Sequence, residues 1–410
     1  MSTIRTCVPL LAVLAVVVLS SCTAAPVQPT PSPTPTVDVA PSGDGTLLIG
    51  TILPATGTSA ALGPAQVAAV EAAVREINAA GGVLGARVEA LHRDSGDAAA
   101  PRVVESFADL AARGVDVIVG PSDATSAALL LPQATAAGIP VIATGATDPA
   151  AEGAGLLFRT SPSAELDGAA IAAAILAENA DATVAVLHGD DTTSSAVLAS
   201  LTSGIGGDAV VAAEVVPSGA ADVASAVTAV VGAGADAVVV ALPAGQVEAV
   251  VSALDAAGVS GSGIWLTASA AAGDGVVDGV RIVRAATPTG ERVDALRAAV
   301  LASDPAVTDF TLAAPAYDAT IAAALAASVA GDDGGASIAQ RLPGVTADGV
   351  PCTSYGQCLA ALADGQDIDY DGVSGALGID DAGRVSAAGY EVLTAAVDGS
   401  FSATGTVTVG

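Results

Sequence analysis

Short β-branched runs alternate with longer segments of helical period along most of this 410-residue chain. The clearest case spans residues 114–149. Runs 115–119 and 139–143 each end in a loop of Gly, Pro, Ser, Thr and Asp, with a helix-length segment, 122–137, between them. This predicts a β-loop-α-β unit whose two polar loops sit at the carboxyl ends of parallel strands, where open α/β sheets hold small ligands. Ahead of it, 47–53 reads as a strand and 64–79 as a helix, with Val67, Val70, Val74 and Ile77 on one apolar face. Pro64 suits the first turn of that helix and Gly81-Gly82 its end. A strand over 87–91, a helix over 99–113 and a short strand over 156–159 complete the first series.

A second series begins after Thr160-Ser161-Pro162. Helices are predicted over 165–179, 193–203, 221–231 and 246–257, and strands over 183–187, 209–215, 237–241 and 263–267. Such alternation implies parallel sheets with right-handed crossovers. The tail differs: a strand over 281–285, helices over 291–302 and 314–330, then extended runs over 372–379, 390–396 and 401–409. A chain that returns to both halves crosses between them three times, near Thr160, Ala285 and Gly372. The predicted fold class is therefore α/β with two lobes, 46–160 plus 286–371 and 161–285 plus 372–410.

The start of the chain adds an address. Arg5 precedes an apolar run over 8–19, too short to span a bilayer comfortably and suited to a signal-peptide core. Leu19-Ser20-Ser21-Cys22 resembles a bacterial lipobox, so residues 1–22 are expected to be a signal peptide ending at a lipidated Cys22; the alternative is an ordinary cleaved signal. Residues 23–45 hold six prolines and no aromatic residue. They are expected to be an extended tether.

Composition then narrows the partners. The formal charge is −30, and all thirteen basic residues are arginine. This argues against nucleic acid and against docking on anionic lipid. With four Phe, four Tyr and Trp265 alone, large stacking platforms are not expected. Cys352 and Cys358 form an isolated pair in an exported chain and are read as a local disulfide worth about 2–3 kcal/mol, with redox catalysis as the alternative. His92 and His188 stand far from this pair in sequence, so no metal site and no Cys/His or Ser/His/Asp constellation is expected.

Together the motifs resemble a known family. They comprise Leu53-Pro54-Ala55-Thr56-Gly57, Ile77-Asn78-Ala79-Ala80-Gly81-Gly82, Asp94-Ser95-Gly96-Asp97 and Gly120-Pro121-Ser122. Gly145-Ala146-Thr147-Asp148-Pro149, Phe158-Arg159-Thr160, Ala316-Tyr317-Asp318-Ala319 and Asp369-Tyr370-Asp371-Gly372 follow in order. Over nearly all of 46–409 the chain resembles the type 1 periplasmic solute-binding proteins of ABC importers, in the branched-chain amino-acid-binding group. The resemblance implies two α/β lobes, each a parallel sheet flanked by helices, joined by a three-crossing hinge with solute in the cleft. It implies an exported receptor, lipid-anchored at the outer face of the cell membrane and partnered by an ABC permease. It also implies a monomer with no catalytic residues and no cofactor.

On that resemblance, the lobe-one contacts are Ser122, Asp123, Ala124 and Thr125 together with Gly145, Ala146 and Thr147. Ser122 reads equally as a helix N-cap, Thr147 as a turn hydroxyl, and Asp123 as a cap or an attractor for an ammonium group. Ala124 stands where relatives often have serine. Leu62 replaces an aromatic cover, and in lobe two Thr193 and Thr267 stand where relatives carry a Tyr-Gly pair and an acid. Asp190-Asp191 complements a helix dipole or binds a metal. A sensing or scaffolding lipoprotein with the same fold is the alternative function, supported by these lobe-two departures.

Overall fold

In the computed structural model, the described residues are 40–97, 100–145, 147–148, 151, 153, 155–220, 223–268, 277–396 and 398–410. The expected signal peptide, Cys22 and most of the expected tether lie outside them, as does Ala146. Five strands, β1 (Leu48–Leu53), β2 (Glu89–Asp94), β3 (Val117–Val119), β4 (Val141–Ala143) and β5 (Leu157–Arg159), form a parallel sheet in the order β2-β1-β3-β4-β5. Helix α1 (Gly63–Ala79) follows β1, α2 (Val103–Ala112) follows β2 and α3 (Ala124–Ala137) follows β3. The central strands β3 and β4 are buried on both faces, which is why they read as unbroken apolar runs. Val117 and Val119 pack into the core shared with α1, whereas Ile118 packs with Phe107 and Leu110 of α2 and Leu130 of α3.

The second sheet repeats the plan. It holds β6 (Val184–His188), β7 (Val210–Val215), β8 (Ala237–Ala241), β9 (Ile264–Thr267) and β10 (Arg281–Ala285), all parallel. Helices α4 (Ala164–Glu178) and α5 (Thr192–Ile205) cover one face, and α6 (Ala224–Gly232) and α7 (Ala244–Ala256) cover the other. The chain then returns to the first lobe through α8 (Glu291–Ser303), α9 (Ala313–Ala330), α10 (Gly335–Arg341) and α11 (Tyr355–Ala363). A small sheet of β11 (Val350–Cys352), β12 (Ile368–Gly372) and β13 (Gly375–Ala376) belongs to the same core. Finally β14 (Ala388–Ala395) and β15 (Phe401–Val409) add antiparallel to β10. The second sheet's order is β15-β14-β10-β9-β8-β6-β7.

The two-lobed α/β expectation holds, and three details change. The third crossing lies later than Gly372, because Val373, Leu377 and Ile379 are buried in the first lobe's core and the second sheet resumes only at Ala388. The extended run over 372–379 is an antiparallel ribbon of β12 and β13 followed by a bridge from Ile379 to Val385, rather than one strand. Residues 42–45, placed in the tether from sequence, are pinned to the first lobe. Gly43 N donates to Asp332 Oδ1 at 2.9 Å, Ser42 N to Asp332 Oδ2 at 3.2 Å and Gly45 N to Asp333 Oδ1 at 3.0 Å. The Cys352–Cys358 disulfide is present and ties β11 to α11.

Candidate functional site

Strand order locates the crevice. β1 and β3 are neighbours, yet the chain leaves β1 for a helix on one sheet face and β3 for a helix on the other. In lobe two, β6 and β8 repeat this reversal, with α5 and α7 on opposite faces. Loops at such a switch point separate and leave room for a ligand at the strands' carboxyl ends.

The loop after β1 is held by the two carboxylates of the Asp94-Ser95-Gly96-Asp97 motif. Ala55 N and Thr56 Oγ1 donate to Asp94 at 2.9 and 2.6 Å, and Thr58 N donates to Asp97 at 2.9 Å. Burial pushes the Asp94 carboxyl up, but hydrogen bonds from Thr56, Gly96 and Ala55 outweigh it and hold it below the usual carboxylate range.

The centre of the lobe-one site is Gln66, which sequence reasoning missed. It is fully buried in the first turns of α1. Its Nε2 donates to the Leu62 carbonyl at 3.0 Å, while its Oε1 accepts from Ser122 Oγ at 2.9 Å and Thr144 Oγ1 at 2.7 Å. One amide thus joins the loops after β1, β3 and β4. The signal was available: position 66 falls four before Val70 and eight before Val74, on the helix's apolar face, where an amide needs a specific partner. Gln66→Ala leaves two hydroxyls without their acceptor and is expected to lower stability by about 2 kcal/mol in urea unfolding. An unchanged midpoint would show that water replaces the amide without loss.

Ser122 therefore does not cap α3. Asp123 does, accepting from Ser126 N at 2.8 Å with extended backbone. Ala124 and Thr125 form the first turn of α3, Thr125 exposed, and beside the Asp123 cap this end of the helix carries the positive end of its dipole. With its hydrogen directed to Gln66, Ser122 Oγ keeps lone pairs for a donor on a solute. Gly145 is required by contact: a Cβ there would lie 2.1 Å from the Ser122 carbonyl oxygen, so the two loops touch backbone to backbone.

Thr147 is buried, and Arg159 Nη1 donates to its Oγ1 at 2.8 Å. The same guanidinium donates through Nε to the Ser161 carbonyl at 2.7 Å and through Nη2 to the Pro162 carbonyl. Ser161 Oγ in turn donates to the Gly145 carbonyl at 3.0 Å. Arg159 thus fastens the loop after β4 to the first crossing. Nearby Asp167, on α4, is pushed up to about 6 by burial, against the hydrogen bond from Tyr390 and the charge of Arg159. An arginine ending a three-residue buried strand was the sequence signal for this link.

Lobe two contributes at the edge. Thr193 is exposed at the start of α5, and its neighbour Thr192 donates to Asp148 Oδ1 across the cleft at 2.7 Å. Asp191 caps α5 through Ser194 N at 2.8 Å, whereas Asp190 accepts from Ser218 Oγ and N at 2.7 and 3.1 Å. These two acids are occupied by separate partners rather than presented as a pair. Thr267 is buried at the end of β9. Leu62, Ser122 and Gly145 are therefore brought together directly and Thr147 through Arg159.

Comparison with known proteins agrees with this fold. The sequence profile of a periplasmic binding protein family matches residues 46–366. Among curated proteins, none matches the chain in sequence. The fold is similar to the branched-chain amino acid transporter substrate-binding protein LivJ of Streptococcus pneumoniae in complex with isoleucine, at 22% identity and a TM-score of 0.61, covering 88% of this chain and 99% of that one. The leucine-binding protein LivK of Thermotoga maritima is 19% identical with a TM-score of 0.62, over 88% and 98% of the two chains. A solute-binding protein of an ABC transporter from R. palustris, in complex with benzoate, is 18% identical with a TM-score of 0.59, over 88% and 96%.

Proposed function

The chain belongs to the periplasmic binding protein family, and from that premise we propose that it captures a small polar solute between its lobes for an ABC importer. The solute class is a branched-chain amino acid or a related amide. One observation carries this reading: Gln66 gathers the loops after β1, β3 and β4 around the N-terminus of α3. A helix terminus so placed favours a carboxylate, and the relatives named above are described with isoleucine, leucine and benzoate. Ser122, Gly145, Ala146 and Thr147 form the lobe-one half of this site, and Thr193 and Thr267 the thinner lobe-two half.

The receptor is exported, carries lipid on Cys22 and works as a monomer at the outer face of the cell membrane, handing solute to a permease. Its role is binding, not catalysis. Solute shifts the lobes toward closure by touching both of them. A thermal-shift screen of the exported protein against amino acids, amides and small carboxylates tests the reading; a ligand at 100 times its Kd adds about 2.7 kcal/mol. For the solute so found, Thr147→Ala is expected to raise Kd about three- to tenfold, the worth of one neutral hydrogen bond. An unchanged Kd removes Thr147 from the site, and no response to any member of the screen removes the solute class.

A further inference from the structure

On the far side of the first crossing from Gly145 and Thr147, the three crossing segments line a cavity of about 650 Å³, which shares Ser161 and Pro162 with the contacts described above. Residues 160–162, 285–288 and 387–389 form the hinge side, and α8 with the loop entering α9 forms the other. None of Leu62, Ser122, Gly145, Thr147, Thr193 or Thr267 lines it. Its apolar wall includes Val293, Leu296, Phe310, Leu312, Pro315 and Leu377. The volume lies within the range of small-molecule sites.

Two independent features mark the cavity as more than a packing gap. The first is Arg297. Its guanidinium lies over the Phe310 ring, 4.5 Å from the centroid, and it has no ion pair among the described residues. The second is Leu312. It holds φ at +63° as the residue before α9, a left-handed conformation that costs a branched side chain on the order of 1 kcal/mol. Strain of this kind persists where surrounding structure imposes it, and it concentrates at ligand sites. Here it turns the chain between Phe310 and Ala313, both of which line the cavity.

We propose that this hinge cavity is a second ligand site, taking a monocarboxylic acid with an apolar body. The carboxylate pairs with Arg297 at the mouth, and the body lies against Phe310, Leu312 and Leu377. Charge-assisted pairing with a guanidinium supplies orientation, and the apolar wall supplies most of the affinity. Because all three crossings form one wall, occupancy bears directly on the hinge. The site does not depend on the cleft's solute.

Octanoate is the probe, with 1-octanol as the same body lacking charge and acetate as the charge lacking a body. Titration calorimetry on the exported protein is expected to show octanoate binding, 1-octanol at least about tenfold weaker, and no acetate binding. Arg297→Gln, an exposed position, is expected to weaken octanoate at least about tenfold while leaving 1-octanol unchanged. Ala286→Trp, which fills the cavity from the hinge side, is expected to abolish both. Thr193→Ala, an exposed position at the start of α5 that does not line the cavity, is expected to leave octanoate binding within about twofold, since sites without shared partners act independently. Equal binding of octanoate and octanol, an unaffected Arg297→Gln protein, or loss of binding in Thr193→Ala alone would each overturn the proposal. So would the absence of octanoate binding at millimolar concentration. A failed amino-acid screen with intact octanoate binding would overturn the cleft reading only.

Discussion

Asp318→Ala is expected to destabilise the protein by about 3–5 kcal/mol, the largest effect of any single substitution considered. Asp318 lies on α9, fully buried. Its carboxylate accepts from Tyr370 Oη at 2.9 Å, Val373 N at 2.7 Å, Ser374 N at 2.8 Å and the Ser374 hydroxyl. Burial pushes this carboxyl up, against hydrogen bonds from Ser374, Val373 and Tyr370. Removing it strands four donors beneath α9, and each unsatisfied group costs about 1–3 kcal/mol unless water reaches it. Asp318→Asn keeps the shape and one acceptor oxygen, so it is expected to lose about half as much as alanine. Urea unfolding of both variants checks the order, and an alanine variant no less stable than asparagine would refute it. The neighbourhood also explains Gly372: a Cβ there would lie 2.5 Å from the Asp318 carboxyl carbon.

Asp116→Asn is expected to stabilise the protein by about 2 kcal/mol at pH 8 and to change little at pH 4. Asp116 accepts from Leu48 N at 2.8 Å. Burial pushes its carboxyl up to about 7, the Leu48 bond works against that, and the charges of Asp333, Asp44 and Asp332 add to it. A carboxyl raised in the folded state binds its proton more tightly there than in the unfolded chain. Its contribution is complete below pH 3.8, the unfolded value, and is lost as pH rises toward 7. The full gap would be worth about 4 kcal/mol at 1.36 per unit, and partial exposure of the side chain reduces it to about 2. Asparagine keeps the acceptor for Leu48 and does not titrate. Unfolding at pH 4, 6 and 8 therefore gives a variant-minus-native difference that grows with pH. A difference independent of pH would show that Asp116 is not the titrating group.

The parallel core was legible because its central strands are buried on both faces, so strands such as Val117–Val119 and Ala237–Ala241 are continuous apolar runs between polar loops. The last strand, Phe401–Val409, also matches its expected bounds. Strand β2 was placed too early, because Arg87 and Val88 look as strand-like as His92 and Arg93, and only pairing with β1 selects Glu89–Asp94. Helices α10 and α11 escaped notice. They are short, and α11 depends on a Ser354 cap and the Cys352–Cys358 disulfide more than on apolar period. At the site, residue types marked the loops but not the side chains that hold them. Gln66 and Arg159 act over separations of 56 and 12 residues, through Ser122 and Thr147. Such partners are fixed by tertiary packing, and no local pattern names them.

The pin at residues 42–45 sets how the first lobe carries load. The incoming chain is gripped by Asp332 and Asp333 just before β1 begins, and β1 then runs about 17 Å toward the loops that hold Gln66 and Ser122. Tension applied to the chain ahead of Ser42 is met by three N–H to carboxylate bonds and the base of a five-stranded sheet. The cleft loops lie at the opposite ends of those strands. Pulling on the chain ahead of Ser42 therefore strains the foot of the lobe first, and the loops after β1, β3 and β4 are mechanically shielded from it.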